Sequence, residues 1–176
     1  MAQTTFQGPV RSLNGFISQG PGTIANLANG TNTVTLDETY AGKVITTNDA
    51  TLIITLPAIN ASADPASAGP GSDPNNPNNF GVTYLVYIET TASAVAIKTD
   101  GTDKFVGSVL MIDTDSSGAA SGYAPAASND VINLNGTTTG GIAGSWVKIV
   151  AIAANKYFVE GVLLGSGSVA TPFADS

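Results

Sequence analysis

The stretch that decides the fold is 145–164, SWVKIVAIAANKYFVEGVLL. It divides at Ala154-Asn155 into two apolar runs, 145–153 and 156–164, each of strand length and rich in β-branched and aromatic residues. In the first run Trp146, Lys148, Val150 and Ile152 face one way and Val147, Ile149 and Ala151 the other, because side chains alternate along a strand. Both faces are largely apolar. Such a strand has little surface to give to water, which predicts a central place in a sheet, paired in a hairpin with 156–164.

Working outward, shorter runs of the same kind occur at 33–36, 43–47, 51–56, 82–89, 94–99, 104–113 and 131–134, separated by Gly, Pro, Asn and Asp. The pair 82–89 (VTYLVYIE) and 94–99 (AVAIKT) is expected to form a hairpin, and Asp100-Gly101 supplies the turn into 104–113. Between them and the earlier strands lies 58–81, AINASADPASAGPGSDPNNPNNFG, with four X-Pro steps and almost nothing to bury. Too little β structure precedes this loop to stand alone, so the strands on its two sides must pair with each other. Softer segments run over 114–129 and 135–144. About nine short strands with turns every ten or so residues predict an all-β fold, a β-sandwich that is jelly-roll-like or tulip-like, with extended N- and C-terminal arms. The expected divisions are an arm over 1–32, the sandwich domain over 33–165 with its polar loop at 58–80, and a tail over 166–176.

Composition points the same way. The 176 residues are 43% hydrophobic but only 11% charged, so they can fill a core yet cannot clothe long surface helices in Glu, Lys and Arg. There is no His and no Cys, which removes the usual general base, the thiolate nucleophile and the common zinc, haem and iron–sulfur ligands. The expectation is a protein without catalytic residues, metal or cofactor. A net charge of −7, with Arg11 the single arginine, argues against nucleic acid or an anionic membrane as partner. The opening MAQTTFQGPV has no basic-then-apolar signal pattern, and no apolar run reaches bilayer length, so a soluble chain is expected.

Three local patterns invite chemistry. Residues 113–118, DTDSSG, copy the first half of a calcium loop, but Ala124 stands where the closing Glu belongs and a strand precedes them. They read as a solvated turn. Residues 165–170, GSGSVA, follow a strand as a dinucleotide loop would, with no second βα unit to complete one, so they read as a flexible strand exit. Asp100, Asp103, Asp113 and Asp115 form an acidic set, but a glycosidase pair needs two carboxyls in unlike environments, and these all belong to turns. The Asn-x-Ser/Thr triplets at Asn29, Asn60 and Asn135 are what a chain rich in these residues contains by chance.

The order TLIITLPAI, then GVTYLVYIETTASAVAIKTDGTDKF, then GSWVKIVAIAANKYFVEGVLLGSG resembles a β module that recurs in virion proteins of tailed bacteriophages. The positions that carry the resemblance are Ile54-Thr55-Leu56-Pro57, 81–84, 97–101, 144–149 and 155–161. The opening GPVRSLNGFISQGP and closing TPFADS are similar to what surrounds this module in small capsid decoration proteins of marine podophage-like viruses. Unlike fibre-borne versions, the chain has no heptad stalk, no collagen-like repeat and no long β-helical shaft.

The resemblance implies a non-enzymatic decoration or cement protein on the virion surface, stabilising the capsid by bridging neighbouring capsomers. Its partners would be the major capsid protein and further copies of itself in a homotrimer with the 145–164 hairpin at its centre. The apolar residues Phe6, Val10, Leu13, Phe16 and Ile17 and the lone Arg11 of the N-terminal segment, with Phe173 in the tail, are the expected capsid or subunit contacts. The alternative is a receptor- or carbohydrate-binding module of a fibre or head appendage, using the loops 58–79 and 114–129, with Phe80 and Tyr123 as the available aromatics.

Overall fold

A computed structural model of the chain describes residues 24–27, 33–37, 40–59, 79–115 and 119–176. They contain twelve strands: β1 (Ile24–Leu27), β2 (Thr33–Thr35), β3 (Val44–Thr47), β4 (Ile53–Thr55), β5 (Thr83–Ile88), β6 (Val95–Lys98), β7 (Lys104–Asp113), β8 (Ala120–Tyr123), β9 (Val131–Leu134), β10 (Trp146–Ala153), β11 (Lys156–Gly165) and β12 (Phe173–Ala174). Seven form one sheet in the order β1-β3-β5-β10-β11-β7-β8, and five form a second in the order β12-β9-β6-β4-β2. The two sheets pack as a β-sandwich, the expected class. No helix among the described residues is long and apolar enough to cross a membrane.

Within the sandwich, β1 to β6 alternate between the sheets, and every neighbouring pair among them is parallel. The first half of the domain is therefore a short coil in which each turn contributes one strand to each sheet. Val44 stacks on Ile24 and Ile53 on Thr33, so the offset from 24 to 44 and from 33 to 53 is the same 20 residues. The sequence repeats accordingly: 24–36, IANLANGTNTVTL, aligns without a gap on 44–56, VITTNDATLIITL. Leu36 and Leu56 occupy equivalent buried positions, and each backbone N–H continues the ladder, to Thr55 O and Lys98 O respectively, both at 2.8 Å. The third turn stacks Leu85 on Val44 and Ala96 on Ile53, with the polar loop inserted before it. The strands on the two sides of that loop pair with each other, as the scarcity of β structure before it required.

The pairing overturns one expectation. β5 and β6 are not a hairpin: β5 lies in the seven-stranded sheet and β6 in the five-stranded one. Their alternating apolar patterns suit either arrangement. What decides is the corner between them, where Ala92 is buried and its N–H donates to Gly141 O at 2.8 Å, carrying the chain across the core instead of back along the same sheet.

The 145–164 hairpin forms as read, and β10 is the fourth strand of seven, antiparallel to both β5 and β11. Its joint places Asn155 at φ 58°, a left-handed conformation that Asn accepts more readily than most side chains. β11 then pairs in parallel with β7 along the full length of both. Gly107 sits in this pairing at φ 110°, where a Cβ would run into Val159 O. Only glycine fits there.

The core lies between the sheets. Ile45, Tyr84, Val86, Val147, Ile149, Tyr157, Val159 and Met111 meet Leu36, Ile54, Leu56, Val95, Ile97, Ile132 and Leu134, all buried. The two deeply buried tyrosines keep their hydroxyls satisfied, as burial demands. Tyr157 donates to Pro57 O at 2.7 Å, and Tyr84 to Asp37 O at 3.3 Å.

The C-terminal segment is not a free arm in its described part. β12 adds to the edge of the five-stranded sheet, Phe173 opposite Ile132, and the Phe173 ring tilts against Phe105 with centroids 6.5 Å apart. Beyond it, Ser176 N–H and hydroxyl donate to the two oxygens of Asp130 at 2.9 and 3.2 Å. Likewise β1, in a stretch expected to be arm, is the edge strand of the seven-stranded sheet.

Candidate interaction face

A sandwich needs its two inner faces to be apolar and leaves the outer two free to be polar. Here the outer faces differ. On the five-stranded sheet the outward rows are Thr33–Ile53–Ala96–Asn133 and Thr35–Thr55–Lys98–Val131, mostly Thr, Asn and Lys. On the seven-stranded sheet one outward row is Tyr87–Trp146–Val162–Leu110, crossing β5, β10, β11 and β7. The next is Val44–Leu85–Lys148–Glu160–Ser108, and beyond it Thr83, Val150, Phe158 and Val106 align. Five adjacent strands thus present large apolar side chains away from their own core.

Several are well exposed: Tyr87 at 39%, Leu110 at 42% and Ile152 at 50%. Val44, Leu85, Tyr87, Trp146, Lys148 and Glu160 line a shallow open depression of about 350 Å³. The two charges in its floor are paired, Lys148 Nζ to Glu160 Oε1 at 2.9 Å, so the middle of the face is formally neutral. Among the described residues, Glu160 is the one carboxylate at an outward strand position; the others lie in turns, at strand ends or, as with Asp113, pointing inward. At one end of the face a second cleft, of about 400 Å³, is lined by Lys104, Val106, Gly107, Pro125, Ala126, Ala127, Asn155 and Lys156. The Lys104 amine is committed to Asp130, 2.8 Å away.

The residues singled out from sequence scatter. Phe6, Val10, Arg11, Leu13, Phe16 and Ile17 lie outside the described residues. Phe173, at 5% exposure, is packed in its own domain's core. The four aspartates do not meet as one acidic set, since Asp100 and Asp103 precede β7 while Asp113 is its last residue and Asp115 lies beyond it, the length of the strand away, about 30 Å. Each has a local duty. Asp100 Oδ1 accepts from the N–H groups of Thr102 and Asp103, Asp103 Oδ2 from Ile59 N–H, Asp113 Oδ1 from Asp115 N–H, and Asp115 Oδ2 from Gly167 N–H. Burial pushes the Asp103 carboxyl above its ordinary range, against the pull of the Ile59 N–H. The hydrogen bond with Asp113 and that from Gly167 hold the Asp115 carboxyl below it.

Gly165 ends β11 packed beside Met111 and Thr137, and the chain continues to β12 without a helix among the described residues. Tyr123 packs against the core and does not stand free in a loop. The alternation of Trp146, Lys148, Val150 and Ile152 was visible in sequence, but it was read as burial within the sheet. The residues that complete the face, Val44, Leu85, Tyr87, Leu110, Phe158 and Val162, are brought beside it by strand order, which no local pattern reveals.

Compared with known proteins, the chain matches no family model, and no curated protein and no solved structure resembles it significantly.

Proposed function

We propose that the protein is a non-enzymatic structural subunit of a tailed-phage virion, a capsid decoration protein that binds the major capsid protein, bridges neighbouring capsomers and works as a homotrimer on the capsid surface. The single observation that carries the assembly part of this reading is the apolar, internally neutralised outer face of the seven-stranded sheet. Exposed faces of this kind mark interaction sites. The order of the sequence motifs TLIITLPAI, GVTYLVYIE and GSWVKIVAIAANKYFVEGV alone carries the capsid part. A surface of Thr, Ser, Asn, Gly and Ala also loses little side-chain entropy on being ordered, which favours permanent contacts.

The mechanism is additive burial. Each square ångström of apolar surface covered across a capsomer boundary contributes about 25 cal/mol, so many modest contacts together let the expanded shell resist internal pressure. The 23 residues that precede Ile24 connect to β1, the edge strand of the same sheet. Their apolar residues Phe6, Val10, Leu13, Phe16 and Ile17, with Arg11, are the proposed capsid contacts. The receptor-binding alternative gains no support from Tyr123, whose ring packs against the core.

Co-sedimentation with capsids that lack this component tests the reading. The full chain should pellet with expanded capsids, and a chain lacking residues 1–19 should stay folded by circular dichroism and lose binding. Failure of the full chain to bind capsids, together with binding to host cells, would overturn it.

A further inference from the structure

We infer that the outer face of the seven-stranded sheet is where copies of this chain meet. The inference deepens the assembly reading by naming the contact surface, and it rests on that reading only for the expected number of copies, three. The contact itself is argued from the face. The outward row Tyr87–Trp146–Val162–Leu110 and its neighbours Val44, Leu85, Val150 and Phe158 point away from the domain's own core, while the equivalent positions of the five-stranded sheet are Thr33, Thr35, Thr55, Asn133 and Lys98 interspersed with the smaller apolar set Ile53, Ala96 and Val131. One sandwich has thus dressed one outer face for water and the other for contact.

Charge chooses the occupant. The chain carries a net −7, so two copies repel wherever their carboxylates face each other. The middle of this face carries a single carboxylate, Glu160, already neutralised by Lys148 at 2.9 Å. A second acidic copy is therefore not opposed in the middle of this face. A basic partner would find nothing there to attract it. Size agrees as well. Five strands at about 4.8 Å spacing and some seven residues at about 3.3 Å each project an area on the order of 500 Å², and side-chain relief raises the accessible area further. That approaches the roughly 800 Å² per partner of a stable specific interface.

Sedimentation velocity of the full chain at tens of micromolar, with three variants, tests this. The unmodified protein should sediment at a multiple of the 17.6 kDa chain mass, three under the assembly reading. A chain carrying Tyr87→Asp and Leu110→Lys should fall to the single-chain mass, its dissociation constant weakened at least 100-fold, with an unchanged circular dichroism spectrum. Thr35→Lys, on the polar face of the other sheet, should assemble like the unmodified chain. If the double variant unfolds, Ile152→Lys at the end of the same hairpin serves in its place, since that side chain is half exposed. A single-chain mass for the unmodified protein overturns the inference, as does an oligomer that the face variants leave intact. An oligomer that ignores capsids would sink the capsid reading and leave this one standing, while a monomer that binds capsids would do the reverse.

Discussion

Lys148 and Glu160 stand directly opposite each other on β10 and β11, Nζ to Oε1 at 2.9 Å, and they are the two charges in the middle of a largely apolar sheet face. Both side chains are nearly half exposed, 43% and 46%, so the pair adds little to folding. Its larger effect is to keep the face neutral.

A double-mutant cycle with Lys148→Ala and Glu160→Ala, read by urea unfolding of dilute protein, should give a coupling energy below about 1 kcal/mol. Lys148→Glu places two carboxylates opposite each other in every copy. It should weaken self-association far more than it lowers the unfolding midpoint, which sedimentation and denaturation of the same sample will separate.

Acid should loosen the C-terminus first. Burial by itself would raise the Asp130 carboxyl, but the Lys104 ammonium and the N–H and hydroxyl of Ser176 outweigh it and hold the group below the ordinary range. A carboxyl lowered by folding gives stability that is fully present above its unfolded value, near 4, and is lost as pH falls through the lower folded value. Asp130→Asn should therefore lower the urea midpoint at pH 7, and the gap from the unmodified protein should narrow below pH 4.

Asp103 carries the opposite sign. Its carboxyl is raised by burial and by neighbouring Asp100, so ionising it costs the fold stability as pH rises from the ordinary aspartate value through the folded one. Asn keeps an oxygen to accept from Ile59 N–H and carries no charge. Asp103→Asn should melt a few degrees higher at pH 7, and the advantage should shrink toward pH 3.

The polar loop begins and ends at a clasp, where Asn79 Nδ2 donates to Ala58 O at 2.9 Å. Tyr157 and Asp103 fasten its first residues through Pro57 O and Ile59 N–H. With its ends already held together, the loop's length has a small entropic weight. Replacing residues 61–78 with a short Gly/Ser linker should leave the melting temperature within a few degrees, measured by calorimetry.

Strand positions were legible because period-2 patterns and turn residues are local. The runs at 104–113 and 131–134 coincide with β7 and β9, and the 145–164 hairpin differs from β10 and β11 by a residue at either end. Three strands were missed. β1 and β12 are short and lie among Gly and Pro, and β8 is ASGY, with no apolar alternation to announce it. The β5–β6 crossover was misread since pairing partners are set by tertiary packing, which two adjacent apolar runs do not encode. The coil was readable in principle: Thr35 and Leu36 recur as Thr55 and Leu56 at the 20-residue offset, but two weak copies are easily passed over. The interaction face was half legible, through Trp146, Lys148, Val150 and Ile152. The rest of it exists only once β3, β5, β11 and β7 are placed beside β10.

The chain has no cysteine, so a single introduced thiol reports on one position without interference. The most direct measurement is the maleimide reaction rate of Leu110→Cys on the apolar face against Thr35→Cys on the polar one, both positions being exposed in the single chain. At concentrations where the protein assembles, the thiol at 110 should react at least tenfold more slowly than that at 35, and the difference should vanish on dilution or in the Tyr87→Asp background. Equal rates at every concentration would mean that the face is open to solvent, and would contradict the claim that it is a contact surface.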